Sequence, residues 1–167
     1  LARNGAEKTE AYLKGLKANL ARKPGGGDRD VARDILSGQC DVAVMNTYYI
    51  GLMSQAKNEQ KSWYDAIKPL KSTFANGGTH VNVSAAAIAK NAPNKDSAVK
   101  LIEYMLGEKA QTLYADGNFE FPVNADVKES AAVKLLGTIT PDTTPLGDVA
   151  KNRKAAADLV DKVGFDN

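Results

Sequence analysis

Apolar residues fall at helical spacing along most of this 167-residue chain. Residues 6 to 22 set Tyr12, Leu13, Leu16 and Leu20 among Lys, Glu, Asn and Ala, which predicts an amphipathic helix. Pro24-Gly25-Gly26-Gly27 breaks it. A second helix over 29 to 37 has Val31, Ala32, Ile35 and Leu36 as its buried face, Asp28 as its cap and Gly38 as its stop. A third is expected from Thr47 to about Glu59, followed by a helical segment that holds Trp63, Tyr64, Ala66 and Ile67 and ends near Pro69. Further helices are expected over 95 to 106, with Val99, Leu101, Ile102, Tyr104 and Met105 on the apolar side, and over 108 to 115, with Ala110, Leu113 and Tyr114 inward. Residues 130 to 136 read as helical, and Asp148 caps a last helix that runs to about Val163.

The pattern changes in three places. Cys40, Val42, Ala43, Val44 and Met45 form a nearly continuous apolar run, as expected of a strand covered on both faces. Residues 79 to 84 alternate, with His80, Asn82 and Ser84 polar and Val81 and Val83 apolar, as in a strand with one wet face. Phe119 to Asn124 is extended and interrupted by Pro122, after a turn at Gly117-Asn118. Phe74-Ala75 is a short extended piece, and Asn76-Gly77-Gly78 turns the chain. Residues 138 to 147 read as a loop.

Composition narrows the function by exclusion. The formal net charge is only +2 and the basic residues are scattered along helices, so nothing points to a nucleic-acid surface. No apolar run approaches the roughly 20 residues that span a bilayer. One cysteine excludes an internal disulfide, and Cys40 reads as a buried small hydrophobe. The only histidine, His80, lacks a second His or Cys at ligand spacing, so there is no zinc motif. No Gly-x-Ser-x-Gly elbow and no Cys–His pair in a recognisable context occur. The glycine loop before Asp28 lacks Gly-Lys-Ser/Thr and a preceding strand, so a plain turn is the better reading there. The chain begins at Leu1 and shows no signal peptide, as expected of a processed chain or a piece of a longer one.

The chemistry that remains lies where the apolar run ends. Asn46 and Thr47 are residues that start helices, and Tyr48 and Tyr49 follow at once. On the first turn of a helix both phenols can lean toward one point beyond the strand's C-terminal end, where ligands of open α/β sheets bind. A phenol has a pKa near 10, so it ligates only where a strong Lewis acid displaces its proton. Ferric iron is such an acid and prefers anionic oxygen. A helix N-terminus beside the phenolates also attracts a small anion, to which Asn46 is placed to donate. Adjacent tyrosines alone are more often structural, so an interaction module with both in its core stays open. So does an enzyme that uses a tyrosine as acid or base.

Four segments together resemble the periplasmic ferric-iron-binding proteins of ABC importers. They are Lys14 to Pro24, Cys40 to Tyr49, Thr79 to Ser84, and Phe121-Pro122-Val123-Asn124, and the Asn-x-Tyr-Tyr element is the specific one. The resemblance implies an α/β, periplasmic-binding-protein-like (type II) two-lobed fold, of which this chain is the C-terminal part. Residues 1–78 would form the C-terminal lobe. Residues 79–128 would cross back into the N-terminal lobe, and 129–167 would return as helices packed on the C-terminal lobe. It further implies Tyr48 and Tyr49 as Fe(III) ligands and Asn46 as the residue that holds a synergistic anion such as carbonate or phosphate. The family's loop before Asp28 often carries an asparagine that touches this anion, and Gly27 stands at the matching place here. His80 falls on the crossing strand and is not assigned as a ligand. The implied protein is no enzyme. It is a monomer in the periplasm, or a lipid-anchored extracellular protein, and delivers iron to a membrane permease with only peripheral contact with the membrane complex. The alternative on the same fold is a binding protein for a polyamine or an organic anion.

Overall fold

The computed structural model describes residues 1–74, 77–127 and 130–166. Ala75 and Asn76, on which part of the expected extended piece and turn falls, lie outside the described residues, as does the expected boundary between 128 and 129. In chain order the helices are α1 (Gly5–Ala18), α2 (Asp28–Leu36), α3 (Thr47–Ser54), α4 (Gln60–Asp65), α5 (Lys95–Leu106), α6 (Glu108–Asn118), α7 (Ala131–Leu136), α8 (Leu146–Lys151) and α9 (Arg153–Val163).

The apolar periodicity locates these helices, and side-chain amides and hydroxyls explain where several stop. α1 ends four residues earlier than its apolar stripe suggests, because the Asn19 side chain donates to the Gly15 carbonyl and competes with the helix ladder. The last helix is two helices. At Asn152 the side chain donates to the Asp148 carbonyl at 2.9 Å, and the chain breaks step between α8 and α9. α3 ends at Ser54, whose hydroxyl donates to the Gly51 carbonyl at 2.6 Å, so the helix expected to reach Glu59 closes one turn early. The turn expected at Gly117-Asn118 is instead the last turn of α6, and Phe119 terminates it in the left-handed conformation, with φ 56°.

A buried cluster forms where α3 meets α6 and α7. Ile50 and Met53 of α3, Ala115 of α6, Phe119 and Ala132 of α7 are all buried there. Gly51 is required at this crossing, since a Cβ would overlap the Phe119 ring. Ser130 caps α7 by accepting from the Val133 N–H at 3.3 Å. A second layer joins α1 to α9, tied by Lys162 to Glu10 at 2.7 Å and by Lys17 to the carbonyls of Val163 and Gly164.

Neither expected strand forms a ladder among the described residues. Residues 40 to 46 have no ladder partner, and Val42 and Val44 are 80% and 90% exposed. Strand pairing depends on a neighbour to take the backbone N–H and C=O groups, which no local pattern supplies. At 79 to 84 only one parallel bridge forms, between Thr79 and Pro141. It is held by the Thr79 N–H to the Thr140 carbonyl at 2.7 Å and by the Asp142 N–H to the Thr79 carbonyl at 2.8 Å. Gly78 permits this approach, because a Cβ there would meet the Thr140 and Pro141 backbone.

Several expected core positions face outward. Tyr12, Leu36, Leu101, Tyr104, Leu113 and Tyr114 are exposed, and Cys40 is only half-buried. The helices that carry them present apolar residues on more sides than their described neighbours cover.

Candidate functional site

Asn46 takes an extended conformation, with ψ 138°, and the chain turns directly into α3. Tyr48 and Tyr49 therefore stand on the first helical turn, as their position after Asn46-Thr47 implies. Their ring centroids lie 4.2 Å apart with the planes tilted by 37°. The phenols thus share one locus rather than pointing to opposite faces. Both are half-buried. Ile50, Gly51 and Met53, on the remainder of the helix, anchor this turn to the core.

The Tyr48 phenol is pushed up to about 12 by its hydrogen bond with Tyr49, then by burial and by the negative charges of Tyr49, Asp28 and Glu120. Without a cation it is a neutral hydroxyl. The Arg29 guanidinium lies 5.2 Å from the centre of the Tyr49 ring, over its electron-rich face. Arg29 also donates to Gln60 Oε1 at 3.2 Å, which ties the arginine to α4.

Asn46 does not cap α3 with its side chain. Its backbone N–H and its Nδ2 instead both donate to Asp28 Oδ2, at 2.6 Å and 2.9 Å. Asp28 in turn does not cap its own helix. Gly27 precedes α2, and the Asp30 carboxylate accepts from the Gly27 N–H at 2.7 Å. The first residue of α2 is thus free to bridge to the start of α3. From the other side, Asn82 Nδ2 donates to Asn46 Oδ1 at 3.1 Å, and His80 Nε2 donates to Asn82 Oδ1 at 3.3 Å. His80 is exposed and enters the site only through Asn82.

Glu120 approaches closely enough for its charge to act on Tyr48, and its two oxygens accept from Ser84 Oγ at 2.8 Å and Asn118 Nδ2 at 3.5 Å. The left-handed Phe119 beside it, wedged against Gly51, sets where Glu120 emerges.

The structure therefore brings together the expected Tyr48, Tyr49 and Asn46, and adds Asp28, Asn82 and Glu120. Sequence reasoning missed these three. Asp28 looked like a helix cap, Asn82 like the wet face of a strand, and Glu120 like an ordinary surface acid. The one available signal was Asn82's place in the alternating segment, opposite the apolar positions. Among the described residues, no group of three or more His, Cys, Asp or Glu is placed to hold a metal ion.

A separate cleft lies elsewhere in the described structure. It measures about 550 Å³ and sits between α1 and the α8–α9 pair, lined by apolar residues such as Leu13, Val149, Leu159 and Val160. It does not reach the tyrosines.

Known proteins share this fold. A Bordetella ferric binding protein is 58% identical, superposes with a TM-score of 0.91, and is covered over 53% of its length by 99% of this chain. A Trichodesmium protein solved in complex with iron and citrate is 32% identical, with a TM-score of 0.90, over 97% of this chain and 52% of its own. Iron uptake protein A1 of Synechocystis sp. is 34% identical over 163 residues, which is 97% of this chain and 45% of that protein. The chain spans about half the length of the relatives it matches. At these identities the likeness establishes the fold, so the helices and extended segments belong to the α/β, two-lobed periplasmic-binding-protein architecture. Residues 3–112 match the model of the bacterial extracellular solute-binding proteins, and with that match and these relatives the chain belongs to that family.

Proposed function

We propose that this chain forms one wall of an Fe(III) site in the solute-binding component of an ABC iron importer, with Tyr48 and Tyr49 as ligands. The observation that carries this is the pair of adjacent phenols on the first turn of α3, with ring centroids 4.2 Å apart. A trivalent cation placed between them displaces both protons and gains two anionic oxygens. Asn46 is the anion-binding residue of the wall, and carbonate or phosphate is the anion that would share the metal's remaining positions. Relatives described as ferric binding and iron uptake proteins support the reading, as does one solved with iron and citrate.

The protein captures and delivers iron and performs no catalysis. It works outside the cytoplasmic membrane, in the periplasm or lipid-anchored at the surface, as a monomer that touches the permease only at its periphery. Residues 1–78 belong to one lobe, 79–128 cross into the second, and 129–167 return to the first. Closure of the lobes over the metal gives the permease its signal.

The test is the visible absorption of iron-loaded protein. A phenolate-to-iron band is expected, weakened in Tyr48→Phe and in Tyr49→Phe and lost in the double variant. A band unchanged in all three variants rules out the assignment. The second reading, a polyamine or organic-anion carrier on the same fold, predicts no iron band and a rise in melting temperature with that solute instead.

A further inference from the structure

The donors that open α3 converge on a group that the chain itself provides. Asp28 Oδ2 takes both the backbone N–H and the Nδ2 of Asn46. Behind Asn46 the donors run in one direction, from His80 to Asn82, from Asn82 to Asn46 and from Asn46 to Asp28. Each bond in such a row polarises the next, and the row ends on the Asp28 carboxylate. No ion pair joins Asp28 to a basic residue among the described residues. The carboxylate sits at the positive end of α3 and within reach of Tyr48, with the Arg29 guanidinium over the neighbouring Tyr49 ring.

We infer that Asp28 is a specificity-determining positioning residue of the tyrosine wall. Its carboxylate supplies from within the chain the negative charge that a loose anion would otherwise bring to the start of α3. The inference rests on Tyr48 and Tyr49 as ferric ligands. It goes further by setting how far the site depends on an external anion. A carbonate or phosphate takes the Asn46 backbone N–H only by displacing Asp28, which leaves one Nδ2 hydrogen of Asn46 for such an anion. The cation, meanwhile, meets a wall that already carries a counter-charge. Asp28 acts through Asn46, which directly precedes the ligand helix, and through the field at Tyr48. It is not itself placed as a ligand.

The experiment compares ferric loading of the wild-type protein and of Asp28→Asn, each in buffer freed of carbonate and phosphate and again with inorganic phosphate added. The phenolate-to-iron band reports occupancy. Asparagine keeps an acceptor for Asn46 and removes the charge. The wild type is expected to load without added anion and to respond little to phosphate. Asp28→Asn is expected to lose about 10- to 100-fold in ferric affinity, as groups that orient metal ligands do, and to regain most of it with phosphate. Asp28→Glu is expected to restore anion-independent loading, which a purely structural role would not require. Should Asp28→Asn melt out, Asp28→Ser carries the same expectation. Equal affinity and equal phosphate response in the wild type and the neutral variant overturn the inference while leaving the tyrosine assignment intact. Absence of any band in the wild type overturns both.

Discussion

Gly51 and Phe119 are interlocked: the ring of Phe119 occupies the space that any side chain at position 51 would need. The two residues come from different elements, the middle of α3 and the left-handed end of α6. The contact sits one helical turn below Tyr48 and next in sequence to Glu120. It therefore holds the tyrosine-bearing turn and the acid that acts on Tyr48 in one fixed relation.

Gly51→Ala tests that relation. The added methyl has nowhere to go, because Phe119 is buried and its backbone is already in the left-handed region. Alanine is the better helix former, so propensity alone predicts a small gain. Overpacking outweighs it, and the expected net cost is about 1–3 kcal/mol in chemical denaturation. The same change should broaden or weaken the ferric band by shifting α3. A stabilised variant with an unchanged band would show that the helix has room to move.

Ferric binding should strengthen with rising pH. The Tyr48 phenol is raised to about 12, first by its bond with Tyr49, so at neutral pH it arrives protonated and the metal must displace that proton. Each such proton gives about tenfold in affinity per pH unit, so a titration should show a positive slope that Tyr48→Phe reduces. The sign for stability is opposite. A group whose folded value lies above its unfolded value stabilises fully below the unfolded value. That contribution fades as pH rises through about 12. A pH-independent affinity would mean that phenol deprotonation is not part of binding.

The helices were legible because their periodicity is local. Tyr48 and Tyr49 could be placed on a helix start from Asn46 and Thr47 alone. What joins the site was not legible. Asp28 and Asn46 are 18 residues apart, and Asn46 and Asn82 are 36 apart. No periodicity marks such pairs. Asp28 was read as a cap for its own helix because its type and place fit that role equally well, and only Asp30's bond to the Gly27 N–H shows that the role was filled. The apolar run at Cys40 to Met45 was read as a strand covered on both faces, but among the described residues it is unpaired and Val42 and Val44 are exposed, because pairing and cover depend on neighbours beyond the local pattern. Leu113 and Tyr114 show a different failure: α6 is apolar on more than one side, and spacing cannot say which side is covered.

The link between α1 and α9 should be acid-sensitive. Glu10 is held near 2, well below the usual carboxylate range, by its hydrogen bonds to Lys14 and then Lys162. A depressed carboxylate stabilises above its unfolded value, and the contribution disappears as pH falls through about 2. Thermal melting of wild type and Glu10→Gln should therefore differ at neutral pH and converge toward pH 2. The pair is exposed, so the gap is expected to shrink with salt as well. A gap that widens in acid would contradict this account.

Arg22 and Asp34 form the most enclosed ion pair near the site. Asp34 is buried, and one of its oxygens accepts from Arg22 Nε at 2.8 Å and Nη2 at 2.6 Å. Arg22 also donates to the carbonyls of Lys23 and Gly25, so it shapes the glycine loop that leads into Asp28. Arg22→Ala leaves a buried carboxylate without its main partner and is expected to cost about 2 kcal/mol or more. Because the loop relaxes with it, ferric affinity should fall alongside stability. A variant that loses stability and keeps full affinity would separate the loop from the Asp28–Asn46 bridge.

Tyrosine ligation also sets how tightly the 167-residue chain can hold iron by itself. Two phenolates leave most of a ferric coordination sphere to water and small anions. No group of three or more His, Cys, Asp or Glu is placed to ligate a metal among the described residues. Among the described residues, the two segments that border the site, at 40 to 46 and 80 to 84, are held by no sheet. The chain on its own should therefore bind Fe(III) weakly and give up its colour to a mild chelator such as citrate. Tight, strongly coloured binding by this chain alone would show that the tyrosine wall is a complete site.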